Sequence, residues 1–220
     1  IDINGTVASA DGSRVLLPVA GGDTYVRRVA LDVKYDAADG DAIGAKFDVT
    51  ELATDALAID STQLELNGTL EGSAGTVGEF NGALEFSTDG LVLTNPAMSE
   101  AVGTSLKGST LIAYIQGKPV QITELDLTGT DYSLAGNLSI SGVTESFLTQ
   151  LKARLEATDI SRFSALAGRD LAGGASVDIT GQVAPLDGTF NLNIAGLTQD
   201  LKLGITQADA VLAGETTLSG

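Results

Sequence analysis

The sequence predicts a mainly β protein, an elongated antiparallel sheet of short repeated strands with one to three short helices. Three observations carry this. A pattern of alternating apolar residues followed by an in-phase glycine recurs as IDINGTV from Ile1, LELNGTL from Leu64, LDLTGT from Leu125 and VDITGQV from Val177. Looser copies read FNLNIAGL from Phe190 and VLAGETTLSG from Val211. Between copies, period-two alternation continues, which puts one set of side chains on one face of a strand. Finally, Gly174, Gly181, Gly188, Gly196 and Gly204 fall 7, 7, 8 and 8 residues apart. Glycine at that density would cost a helix ~1 kcal/mol per residue relative to alanine. One short strand plus a turn fits the spacing, with the glycines marking turns or bulges.

Taken along the chain, Val29, Leu31, Val33 and Tyr35 alternate with Ala30, Asp32 and Lys34. Ile43, Ala45, Phe47 and Val49 alternate with Gly44, Lys46 and Asp48. Similar runs cover 64–70, 80–86, 111–115, 120–127, 132–140, 175–183, 189–194 and 201–205. One polar and one apolar face per strand is the mark of antiparallel sheets. Three segments depart from the pattern. Asn95-Pro96 places a cap and a first-turn proline at the start of a short helix. Glu145–Glu156 sets Phe147, Leu148, Leu151 and Leu155 on one helical stripe. Asp159 caps a further turn, ISRFSALA, ended by Gly168. These predict a β-repeat segment over 1–143, a helical interruption or cap over 144–174, and a continuing β-repeat segment over 175–220, cut from a longer chain.

Composition narrows the function. The 12 Lys and Arg face 29 Asp and Glu, a net charge of −17. Nucleic acid, which needs clustered cations, is therefore not an expected partner. With no cysteine and no histidine, disulfides, thiolate metal sites and the usual nucleophile–base pairs are excluded. No apolar run approaches the ~20 residues of a membrane helix. Neither G-x-G-x-x-G nor the P-loop pattern occurs, and no cofactor or enzymatic activity is expected. Asp36, Asp39 and Asp41 cluster beside Gly40, as Asp11 does beside Gly12 and Asp23 beside Gly22. Such acids suit calcium, but neither the EF-hand spacing nor the glycine-rich calcium nonapeptide is present, and aspartates in turns commonly bond their own backbone. No metal site is expected. Asn4, Asn67 and Asn137 stand in N-x-[ST] sequons, which Asn-Gly turn chemistry and chance also explain.

What remains is the apolar face. Its clearest contributors are Val29, Leu31, Val33, Ile43, Phe47, Val49, Leu64, Leu66, Leu84, Phe86, Leu125, Leu127, Leu134, Leu138, Ile140 and Ile179. By periodicity alone these form either an ordinary dry core or a surface that holds something apolar.

Three stretches bear a resemblance that separates these readings: LDLTGTDYSLAGNLSISG (Leu125–Gly142), ATDISRFSALAGRDLAGGASVDITGQV (Ala157–Val183) and LGITQADAVLAGETTLSG (Leu203–Gly220). They resemble the repeats of the TamB family, AsmA-like proteins of the Gram-negative envelope. The second, a short helix feeding A-G-R-x-L-x-G and then a strand, is the most specific. The resemblance implies a sheet curled into an open trough, a β-taco, whose sixteen residues above line a groove for phospholipid acyl chains. It implies a periplasmic setting, with the full-length protein anchored in the inner membrane. A TamA-like outer-membrane barrel would be met by the full-length protein rather than by this segment. A stalk or adhesin-like β-solenoid with a closed core, calcium-stabilised, is the alternative.

Overall fold

The computed structural model describes residues 1–17, 23–73, 76–142, 147–184 and 189–220. Its strands are β1 (Asp2–Ala8), β2 (Val15–Leu17), β3 (Thr24–Val26), β4 (Arg28–Asp36), β5 (Ala42–Ala53), β6 (Leu57–Ser73), β7 (Thr76–Asp89) and β8 (Val92–Leu93). They continue as β9 (Ser105–Ile115), β10 (Val120–Thr128), β11 (Tyr132–Ser141), β12 (Leu148–Ala157), β13 (Ala172–Ala184), β14 (Thr189–Lys202) and β15 (Glu215–Ser219). Three helices are short: α1 (Pro96–Val102), α2 (Ser164–Ala167), which follows a 3-10 turn Ser161–Phe163, and α3 (Thr206–Val211).

Among the described residues all fifteen strands belong to one antiparallel sheet, ordered β1-β4-β5-β6-β7-β9-β10-β11-β12-β13-β14-β15. The small strands β2, β3 and β8 attach to one end of it. The sheet does not close, since β1 pairs with β4 and β15 with β14 rather than with each other. Nearly every neighbour in space is a neighbour in sequence, as half-buried hairpin strands require.

The two rims differ. At one, β4–β5 turns over within 37–41 and β9–β10 within 116–119. At the other, all three helices enter, between β8 and β9, between β12 and β13, and between β14 and β15. The first helix begins as its sequence predicts, with Asn95 Oδ1 accepting from the Met98 amide at 3.1 Å and proline in the first turn. The Asp159 turn also forms, its Oδ1 accepting from the Ser161 amide at 2.9 Å, and Gly168 closes α2 in the left-handed conformation at φ 64°.

Three expectations are corrected. Within the segment expected to be helical over 145–156, Leu148 to Glu156 belong to strand β12, so the interruption is confined to the turns between Ala157 and Ala172. The local alternation of Thr149, Leu151, Ala153 and Leu155 is satisfied by ladders on both sides, from β11 and β13, and two ladders outweigh helix propensity. The strand expected over 201–205 is the end of β14, which stops at Lys202 before α3. Lastly, the repeat glycines mark turns only in part: Gly129, Gly204 and Gly214 lie in connections as expected, whereas Gly5, Gly68, Gly181 and Gly196 lie inside β1, β6, β13 and β14. Gly188 falls outside the described residues. The Asn-Gly pairs at Asn4 and Asn67 are likewise strand residues.

Candidate functional site

Register converts the repeat into a surface. Starting from Gly5, the directly opposed residues are Leu31, Phe47, Leu64, Phe86, Gly108, Leu127, Leu134, Leu155, Val177 and Gly196. Opposed residues share a face, so one apolar row runs across the sheet from β1 to β14. A second row alongside it carries Val33, Ala45, Leu66 and Leu84, then Leu125, Gly136, Ala153 and Ile179 beyond the bulge in β10. Ile43 and Leu138 stand in a third row, Ile140 in a fourth near the hairpin rim, and Val29 and Val49 toward the helical rim. All sixteen sequence-derived residues therefore share one face, and every one is half-buried, neither enclosed nor fully exposed.

Sequence reading missed part of the lining. Leu151, Leu155 and Val177 complete the rows in β12 and β13; the alternation of Leu151, Ala153 and Leu155 was the available signal. Where threonine enters this face its hydroxyl is spent on backbone or on another threonine, Thr62 Oγ1 and Thr88 Oγ1 standing 3.1 Å apart. Thr62 Oγ1 donates to Ser87 O at 3.0 Å, and Thr110 Oγ1 to Thr123 O at 2.9 Å. That leaves no free polar group to interrupt the surface at those points.

The in-phase glycines shape this face. A Cβ on Gly68 would stand 2.6 Å from the Gly82 Cα, on Gly136 2.8 Å from the Ala153 Cα, and on Gly196 2.7 Å from the Val177 Cα. Neighbouring backbone thus crowds the apolar side at these positions, which only glycine fits without a shift of the adjoining strand. At Gly108 side chains add to the backbone, with Asp126 O and Leu127 Cδ2 each 2.6 Å and Phe86 Cε1 3.1 Å from its missing Cβ.

The opposite face is charged. Lys46 Nζ meets Glu65 Oε2 at 3.0 Å, which holds the Glu65 carboxyl below and the Lys46 ammonium above their ordinary values. Arg154 lies between Glu156 at 2.9 Å and Asp178 at 3.3 Å. A shallow depression of about 720 Å³ lies on this side, over Lys46, Asp48, Glu65, Glu85, Lys107 and Asp126; the twist of a sheet hollows both its faces along opposite diagonals. Among the described residues no group of three or more acids is arranged to hold a metal. The aspartates of the turns are engaged locally, Asp36 Oδ1 with the Ala38 amide and Asp11 Oδ1 with the Ser13 amide, both at 2.9 Å.

At the helical rim the apolar face is covered. Tyr132, Ala157 and Ala175 oppose one another across β11, β12 and β13, and Ile160, Phe163 and Leu171 pack on them together with Leu201 of β14. The Phe163 ring meets Tyr132 edge-on at 6.1 Å, and the Arg162 guanidinium stands 5.5 Å over the Tyr132 ring. Arg162 Nη2 donates to Asp131 Oδ2 at 2.8 Å, and the Tyr132 hydroxyl donates to Val102 O at the end of α1 at 3.1 Å. Burial raises the Tyr132 phenol above its ordinary value, with Arg162 opposing the shift.

No family model, no curated protein and no solved structure matches this chain. Geometry defines a single-layered sheet with one continuous apolar face.

Proposed function

We propose that the chain is a non-enzymatic, lipid-guiding segment of a TamB-like bridge in a Gram-negative periplasm, whose apolar face conducts phospholipid between the inner and outer membranes and so supports outer-membrane assembly. The observation that carries this is the apolar row from Gly5 to Gly196, half-buried along its length and crossing the sheet without a charged residue. An acyl chain gains ~0.8 kcal/mol per methylene buried, and a lining of Leu, Val, Ile and Phe offers nearly the same gain at each strand. Cargo can then step along it, because no strong polar anchor holds it at one place. Twelve strands spaced ~4.8 Å apart make a path of about 60 Å. Contact with a TamA-like barrel belongs to the full-length protein. The acidic opposite face keeps so broad a sheet soluble.

The test is to extract the purified protein with organic solvent and identify bound lipid by mass spectrometry, beside an equally acidic soluble β-protein. Phospholipid at near one per chain, lost on Leu127→Arg, is the expected result. A lipid-free extract from a folded chain would favour a structural β-solenoid, and calcium-dependent melting would strengthen that reading.

A further inference from the structure

We propose that residues 158–171 form a latched strap that lifts from the end of the apolar face, so that Tyr132, Ala157 and Ala175 join the surface beside it only when the latch opens; this rests on the reading of that face as an acyl surface. The strap holds little structure of its own. Its 3-10 turn spans three residues and α2 four, far below the length at which helices persist alone. Leu166 on α2 is 53% exposed, so one side of the strap faces outward. What holds it is tertiary: Ile160 and Phe163 against the row, the Thr158 amide on Asp131 O at 3.1 Å, and the Ile160 amide on Gly173 O at 2.9 Å.

Arg162 is the latch. One side chain from the strap reaches Asp131 in the β10–β11 turn, stacks on Tyr132 and touches the end of α1, its Nη1 standing 3.5 Å from Ala101 O. Only 15% of that side chain is exposed, yet its Nε is buried without a partner among the described residues. A buried donor left unpaired opposes closure, because water would satisfy it once the strap lifts. The latch is thus a strong pair weakened by an unmet donor, an arrangement that permits opening without unfolding the sheet. Toward its C-terminal end the strap carries Gly168 at φ 64° and runs into Gly173 of β13 at 103°, positive-φ positions that supply a pivot there.

Amide hydrogen exchange on the whole chain tests this, comparing wild type with Arg162→Gln and Asp131→Asn. The expected result in both variants is exchange about tenfold faster at Thr158, Ile160 and Phe163, with amides of β5 to β7 unchanged. Unchanged strap exchange would overturn the latch. Acceleration throughout the sheet would also overturn it, making Arg162 part of the fold's support. Arg162→Lys, which keeps the charge and loses the forked reach, should fall between wild type and Gln. Uptake of a pyrene-labelled chain from phosphatidylethanolamine vesicles is the second readout, expected to quicken several-fold in the unlatched variants. Faster strap exchange with unchanged uptake would overturn the gating role. If no form of the protein takes up the probe, the acyl reading fails while exchange still decides whether the strap is latched.

Discussion

The two faces of this sheet share every strand and every ladder, and differ only in which alternate residue they receive. One presents Leu31, Phe47, Leu64, Phe86, Leu127 and Leu134 in a single line; the other presents Asp32, Lys46, Glu65, Glu85, Asp126 and Ala135. In an ordinary domain the first face would be buried under a second layer. Here its residues stay half-buried, and among the described residues the buried apolar side chains are few, half of them alanine, with Val26 the one that falls below 2% exposure. The comparison teaches that alternation built the sheet, while packing closed only its helical rim. On the function proposed above, an apolar face of this length without a protein layer serves as a binding surface rather than a core.

Glycine gives the sharpest way to break the comparison. Gly5 and Gly68 hold the same place in two copies of the repeat, but a Cβ on Gly5 meets nothing within 4 Å while one on Gly68 meets backbone. Gly68→Val should cost about 3 kcal/mol through overpacking, and Gly5→Val close to nothing, as read by denaturant unfolding. Equal losses would mean that the close backbone approach at Gly68 is not what fixes glycine there. Next in size is the charge test. Leu127→Arg should lower retained lipid about tenfold, ~1.4 kcal/mol, whereas Ala135→Arg on the polar face should leave it unchanged.

A smaller gain is expected at the bulge in β10, where Glu124 holds a left-handed φ of 52°. Glu124→Gly should raise stability by ~0.5–1 kcal/mol, because strain at a non-glycine residue is relieved; a loss would show that the Glu124 side chain matters to the bulge. The smallest effect concerns pH. Hydrogen bonds from Arg27 and Lys46 depress Glu51 and Glu65 below the ordinary 4.5, and the Ser161 amide depresses Asp159 below 3.8. Groups depressed in the folded state stabilise it above their unfolded values and lose that contribution as pH falls through the folded ones. Thermal melts should therefore be flat from neutral pH to about 4.5 and decline below it, with high salt shrinking the decline because these pairs are exposed.

Much of this was legible in the sequence, since period-two alternation needs no knowledge of neighbours. All sixteen lining residues fall on one face because each was chosen by phase within its strand, and register carries that phase across the ladders, the β10 bulge keeping Ile122 and Leu125 on the same side. The Asn95 and Asp159 caps were legible for the same local reason. Residues 148–156 were not. Gln150, Lys152, Arg154 and Glu156 are good helix formers, and only β11 and β13, distant in sequence, make that segment a strand. The roles of the glycines depended on how closely the next strand approaches. The Arg162 latch was equally invisible, because its partners Asp131 and Ala101 lie 31 and 61 residues away.

The chain has no cysteine, so single cysteines can be placed in it one at a time. Cysteine at Leu64, Leu127 or Leu134, with Ala135→Cys as the outer-face control, should react readily with a water-soluble maleimide in delipidated protein. Phosphatidylethanolamine vesicles should then protect the three row positions and leave Ala135→Cys unaffected. That result is what one open, continuous acyl surface requires. Row cysteines that stay unreactive in a folded, lipid-free chain, or that react identically with and without vesicles, would contradict it.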